Sequence, residues 1–94
     1  MENIINAIKN KTATIIDVRS PIEFESEHFP GAQNIQLEEV NLKIIEIGAM
    51  PKPIVVYCRS GNRSGMAKTI LNQQGINEVY NGGGVYEMLN MIAN

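Results

Sequence analysis

The chain predicts an α/β fold: a mostly parallel central sheet of four to five short strands with helices on both faces. Two observations lead to it. Short β-branched or apolar runs alternate with segments of helical period, the pattern of a layered sheet with crossover helices. The run Ile54-Val55-Val56-Tyr57-Cys58 is apolar throughout, as a strand covered on both faces must be.

The elements follow in order. Ile4, Ile5 and Ile8 stand at helical spacing, and Thr14-Ile15-Ile16-Asp17-Val18 reads as a buried strand. Ser20, Pro21 and Glu23 form a helix-start signature: a capping serine, proline at the first helical position and glutamate three residues after the serine. That helix should run to about Glu27. Phe29-Pro30-Gly31-Ala32 ends it, and Asn34-Ile35-Gln36-Leu37 can make a second strand. Val40, Ile44 and Ile47 share one face of a helix expected from Glu38 to Ala49, which Met50-Pro51-Lys52-Pro53 stops. After the strand 54–58 and a polar turn, Ala67, Ile70 and Leu71 supply a helical stripe ending at Gly75. Glu78-Val79-Tyr80-Asn81 is the last strand. Gly82, Gly83 and Gly84 then lead into a helix faced by Val85, Met88, Leu89 and Ile92.

Composition narrows the function. A chain of 94 residues with 44% hydrophobic residues suits one domain, expected over residues 1–94. A net charge of −2 excludes general phosphate neutralisation, so no nucleic-acid partner is expected. No 18-residue apolar stretch exists and the N-terminus lacks the pattern of a secretory signal, which leaves no membrane role and a cytoplasmic location as the expectation. One cysteine and one histidine make neither an internal disulfide nor a structural zinc site; no metal and no cofactor are expected.

The chemistry concentrates on Cys58. It ends the most buried strand, and Arg59-Ser60-Gly61-Asn62-Arg63-Ser64 leads directly into a helix. Free N–H groups and the dipole at a helix start stabilise an anion, Arg59 and Arg63 add positive charge, and Gly61 lets the loop curl its amides inward. Such surroundings favour a thiolate. The alternative is a solvated turn beside an inert, buried cysteine. Asp17 and Arg19 end the first strand, and a local Arg19–Glu23 ion pair explains them without catalysis; beyond that they would support the loop. His28 is read as a turn contact rather than a base, because an ionised thiolate needs none. Met88 and Met91 read as core filling.

These motifs resemble the rhodanese homology domain. The shared strings are Ile16-Asp17-Val18-Arg19 with Glu23-Phe24, His28-Phe29-Pro30-Gly31-Ala32 with Asn34-Ile35, Tyr57-Cys58-Arg59-Ser60-Gly61-Asn62-Arg63-Ser64, then Gly75 and Gly82-Gly83. The chain departs from the pattern at Glu27 and Phe29, where glycine and isoleucine are common, and it has no tryptophan after the glycines. The resemblance implies a rhodanese-like fold and a sulfurtransferase. Cys58 would take the sulfane sulfur of a small anionic donor, thiosulfate or a persulfide, hold it as a persulfide, and pass it to cyanide in vitro or to a protein or small-thiol acceptor in the cell. The amides from Arg59 to Ser64 would cradle the persulfide, and Arg63 would bind the donor's anionic end.

Two alternatives stand beside this reading. Inactive members of the family serve as binding modules, so a persulfide-carrying or regulatory module with little activity on free thiosulfate is one. The other is a cysteine phosphatase or arsenate reductase. Those phosphatases resemble a cysteine followed by five residues and an arginine; here four residues separate Cys58 from Arg63, and Ser64 takes the arginine's place.

Overall fold

The computed structural model describes residues 2–93. Strands β1 (Thr14–Asp17), β2 (Gln33–Asn34), β3 (Ile54–Cys58) and β4 (Val79–Gly84) form one sheet in the order β2-β1-β3-β4, with every neighbouring pair parallel. The helices are α1 (Glu2–Lys9), α2 (Pro21–Ser26), α3 (Leu37–Val40), α4 (Ile44–Gly48), α5 (Asn62–Gln73) and α6 (Val85–Ile92). Among the described residues, no helix is long and apolar enough to cross a membrane.

All five residues of β3 are buried, and the two-residue period of a strand divides them between two cores. Ile54, Val56 and Cys58 join Val40, Ile47, Ala67 and Leu71 on the face covered by α3, α4 and α5. Val55 and Tyr57 join Ile4, Ile8, Val85 and Met88 on the face covered by α1 and α6. Cys58 therefore enters the site from the α5 side of the sheet. At the far end of α5, Gly75 adopts φ +84°, and the Ile76 N–H returns to the Leu71 carbonyl at 3.0 Å, closing the helix as its sequence predicts.

Three elements differ from expectation. The helix foreseen over 38–49 is broken by a 3-10 turn at Asn41–Lys43. Asn41, a residue that competes with helical hydrogen bonding, opens the turn, and Leu42 is left 83% exposed. The second strand keeps only Gln33 and Asn34 in regular pairing, because Gln36 already caps α3 through its bond to Glu39; the Ile35 and Leu37 N–H groups still donate to the Asp17 and Val18 carbonyls at 3.0 and 3.1 Å. Conversely, β4 continues through the three glycines. A Cβ at Gly82 would meet Met88 Sδ at 2.5 Å and Val55 Cγ1 at 3.0 Å, so only glycine lets the strand lie this close to β3 and α6.

The start of α2 is as its sequence predicts: Ser20 Oγ accepts the Glu23 N–H at 3.3 Å, and Glu23 Oε1 accepts the Ser20 N–H at 3.1 Å. The expected Arg19–Glu23 pair does not form. Arg19 instead turns back onto the buried Asp17, and the Glu23 carboxylate grips Arg63 of α5 with both oxygens, at 2.8 and 3.0 Å. Asp17 is the nearer acceptor for Arg19, two residues away and wholly buried, whereas Glu23 points from α2 toward the start of α5. The Arg63 guanidinium, followed by smaller opposing and local effects, holds the Glu23 carboxyl down to about 2.

Two outcomes follow. Tyr57→Phe removes the hydroxyl that accepts the buried Phe29 N–H at 3.0 Å and should cost about 1–3 kcal/mol in urea denaturation. Glu23→Gln should cost under about 1 kcal/mol at neutral pH, since the Arg63 and Glu23 side chains are 37% and 30% exposed and water screens the pair. The depressed carboxyl makes that contribution complete above the unfolded-state value of roughly 4.3. It is lost as pH falls through about 2, so the stabilities of wild type and variant should converge over that interval. A pH-independent gap would contradict the assignment.

Candidate active site

The site lies at the carboxyl end of β3, where parallel sheets place their ligands. Cys58 is the last residue of that strand, only 1% exposed. Arg59 and Ser60 lead to Gly61, whose φ of +101° turns the chain into α5 and is open to glycine at little cost. That turn brings the Gly61 N–H to 3.0 Å from Cys58 Sγ. Ser64, one helical turn into α5 and wholly buried, places its Oγ 3.4 Å from the same sulfur.

Burial is the largest single influence on the Cys58 thiol and pushes its pKa up. The Ser64 hydroxyl and the backbone N–H groups of Ser64, Ser60 and Gly61 act in the opposite direction and together prevail, so the thiol is shifted toward the thiolate. Hydrogen-bond donors clustered at a helix start thus offset the loss of water around the sulfur.

The other residues singled out by sequence divide into three groups. Ser60, Gly61 and Ser64 meet the sulfur through the donors just described. Arg63 is held by Glu23, while Asn62 is exposed at the first turn of α5. Arg59 is exposed and makes no ion pair among the described residues. It lines a cleft of about 250 Å³ together with Arg19, Glu23, Ser26, Glu27, Val85 and Tyr86.

Asp17 and Arg19 form a buried bidentate pair at the carboxyl end of β1. Arg19 Nη2 lies 2.7 Å from Asp17 Oδ2, and the same nitrogen donates to the Glu27 carbonyl at 2.5 Å. The Arg19 guanidinium also sits 5.7 Å from the centroid of the Tyr57 ring, bracing the end of β1 against β3. His28 makes the expected turn contact: Nδ1 lies 2.7 Å from the Phe24 carbonyl oxygen, and its ring stacks on Phe24 at 3.8 Å.

Asn81 escaped the sequence reading. It pairs with Val56 in the β3–β4 register, donates from Nδ2 to the Gly61 carbonyl at 2.9 Å, and accepts at Oδ1 from Ser64 Oγ at 2.7 Å. The available signal was its place: a polar residue near the carboxyl end of the strand beside the one that ends in Cys58.

Comparison with known proteins agrees with this architecture. Residues 1–89 match the family described as "Rhodanese-like domain". Over 76 residues the chain is 42% identical to the thiosulfate sulfurtransferase PspE of Escherichia coli, a match covering 78% of this chain and 71% of that protein. It is also 42% identical over 71 residues to the uncharacterized protein YqhL of Bacillus subtilis, covering 76% of this chain but only 56% of YqhL. The solved structure described as a rhodanese with anions from E. coli superposes with a TM-score of 0.74 at 39% identity, over 80% of this chain and 89% of that one. A parallel sheet with its lone cysteine at the end of β3, just before the loop that opens α5, matched along residues 1–89, places this chain in the rhodanese-like domain family.

Proposed function

We propose that the protein is a thiosulfate sulfurtransferase acting through a persulfide on Cys58. The observation that carries this reading is the Gly61 N–H at 3.0 Å from Cys58 Sγ, at the start of α5: a thiolate formed there is stabilised by donors that stay in place as the sulfur reacts. The Cys58 thiolate attacks the outer sulfur of thiosulfate. The new bond joins the two sulfurs, the donor's S–S bond breaks, and its electron pair leaves with sulfite. Cyanide in vitro, or a thiol or sulfur carrier in the cell, then attacks the terminal sulfur, and the electron pair of the Cys58 S–S bond returns to Sγ. No proton and no oxidant enter either step. The Asp17–Arg19 pair, buried and mutually neutralised, takes a supporting role in this reading, with Arg19 at the wall of the cleft that Arg59 also lines.

The resemblance gives the donor's anionic end to Arg63; the pairing of that residue leads us to assign the first contact to Arg59 instead. Glu23 neutralises Arg63 in the resting protein, whereas Arg59 faces the cleft with its charge uncommitted among the described residues. Arg59 is therefore the first cation a dianionic donor meets, and Arg63 becomes available only as Glu23 yields.

Cys58→Ser should fold as the wild type does and transfer no sulfur, because a hydroxyl cannot store a sulfane sulfur. Intact mass after incubation with thiosulfate should gain one sulfur in the wild type and none in the variant; retained thiosulfate:cyanide activity in the serine protein would overturn the assignment. In steady-state titrations, Arg59→Ala should raise KM for thiosulfate by the equivalent of about 1.5–3 kcal/mol, more than Arg63→Ala does. A larger KM effect at Arg63 would return the donor to that residue.

A further inference from the structure

Three hydrogen bonds settle which way the Asn81 amide faces. Nδ2 donates to the Gly61 carbonyl at 2.9 Å, and Oδ1 accepts the Gly83 N–H at 2.9 Å. Turning the amide over would set oxygen against carbonyl and NH2 against N–H, so these two bonds alone fix Oδ1 in its place. The third bond runs from Ser64 Oγ to that same Oδ1, at 2.7 Å. A serine hydroxyl has one proton to give. With it directed at Asn81, Ser64 presents a lone pair to Cys58 Sγ, 3.4 Å away. A neutral thiol suits that arrangement, since its S–H can donate to Oγ. A thiolate suits it only after the hydroxyl has turned its proton from the amide to the sulfur.

We propose that Asn81 is a positioning residue for Cys58, holding the Ser64 proton off the resting sulfur so that this donor reaches it only as negative charge develops there. It acts through Ser64 and touches neither the sulfur nor the donor. The inference rests on Cys58 being the reacting thiol, as proposed above. Charged groups reach this region from the neighbouring elements: Asp17 at the end of β1 and Arg19 just after it, Glu23 of α2, Arg59 of the loop, Arg63 of α5, and Glu87 of α6, which accepts the Gly84 N–H at 2.7 Å. Substitution at Asn81 alters none of them.

The test is the pH profile of Cys58 alkylation by iodoacetamide, with circular dichroism to check the fold. Asn81→Ala frees the Ser64 proton and should quicken alkylation on the acid limb about two- to tenfold, the range of one hydrogen bond. Asn81→Asp keeps an oxygen facing Ser64 and makes the bond charge-assisted, so it should slow alkylation. Both substitutions lose the donor to Gly61, and a residue that merely props the loop would shift both profiles in the same direction. In a Ser64→Ala background, Asn81→Ala should leave the profile unchanged and the slowing by Asn81→Asp should shrink. Shifts of the same sign, or an Asn81→Ala effect undiminished without Ser64, would overturn the proposal. If Asn81→Ala does not fold, the comparison of Asn81→Asp with and without Ser64 decides alone. Because the assay contains no sulfur donor, its result is independent of whether the wild type proves to transfer sulfur.

Discussion

The arrangement of the site depends on one close approach. At Gly84 a Cβ would overlap the Arg59 carbonyl oxygen, and Gly84 stands opposite Cys58 in the β3–β4 register. Only a residue without a side chain lets β4 pass so near the backbone that follows Cys58. The consequences spread outward. The register shift between Val56 and Cys58 is accommodated here, Asn81 is brought within reach of the loop, and α6 begins directly behind the loop with its own capping contact to Glu87. Glycine at this position is thus a packing requirement of the site.

Around that contact the molecule balances burial against donors. Cys58 is nearly as inaccessible as the aliphatic residues with which it shares a core, and removal from water opposes its ionisation. Geometry works the other way, since the turn at Gly61 points backbone N–H groups toward the sulfur that would otherwise face solvent at the start of α5. The buried Asp17 and Arg19 pair with each other at 2.7 Å, so neither adds an uncompensated buried charge.

Much of this was legible in the chain. Strand and helix order followed from periodicity, and Cys58 stood out as the sole cysteine at the end of the strongest strand. The helix over 38–49 was misjudged because the apolar face of Val40, Ile44 and Ile47 persists across the 3-10 turn, so the hydrophobic period does not register the break. The partner of Arg63 was hidden for another reason. Glu23 lies 40 residues away in sequence, and Arg19, four residues from it, offered a simpler local pair. Asn81 was hidden in the same manner: beside three glycines it reads as turn chemistry, and only the order β2-β1-β3-β4 sets it next to the loop.

Helix α2 contributes no buried residue to either core. It is fastened by its cap at Ser20, by Arg19 reaching the Glu27 carbonyl, and by the Glu23 grip on Arg63. A segment attached through polar contacts, with no apolar face to withdraw from water, belongs to the least stable cooperative unit of a fold. Amide hydrogens of α2 therefore exchange through a local opening that leaves the sheet intact, while those of β3 wait for global unfolding. The rim over Arg63 is governed by a different free energy from the strand that carries the sulfur, and the two can be tuned independently.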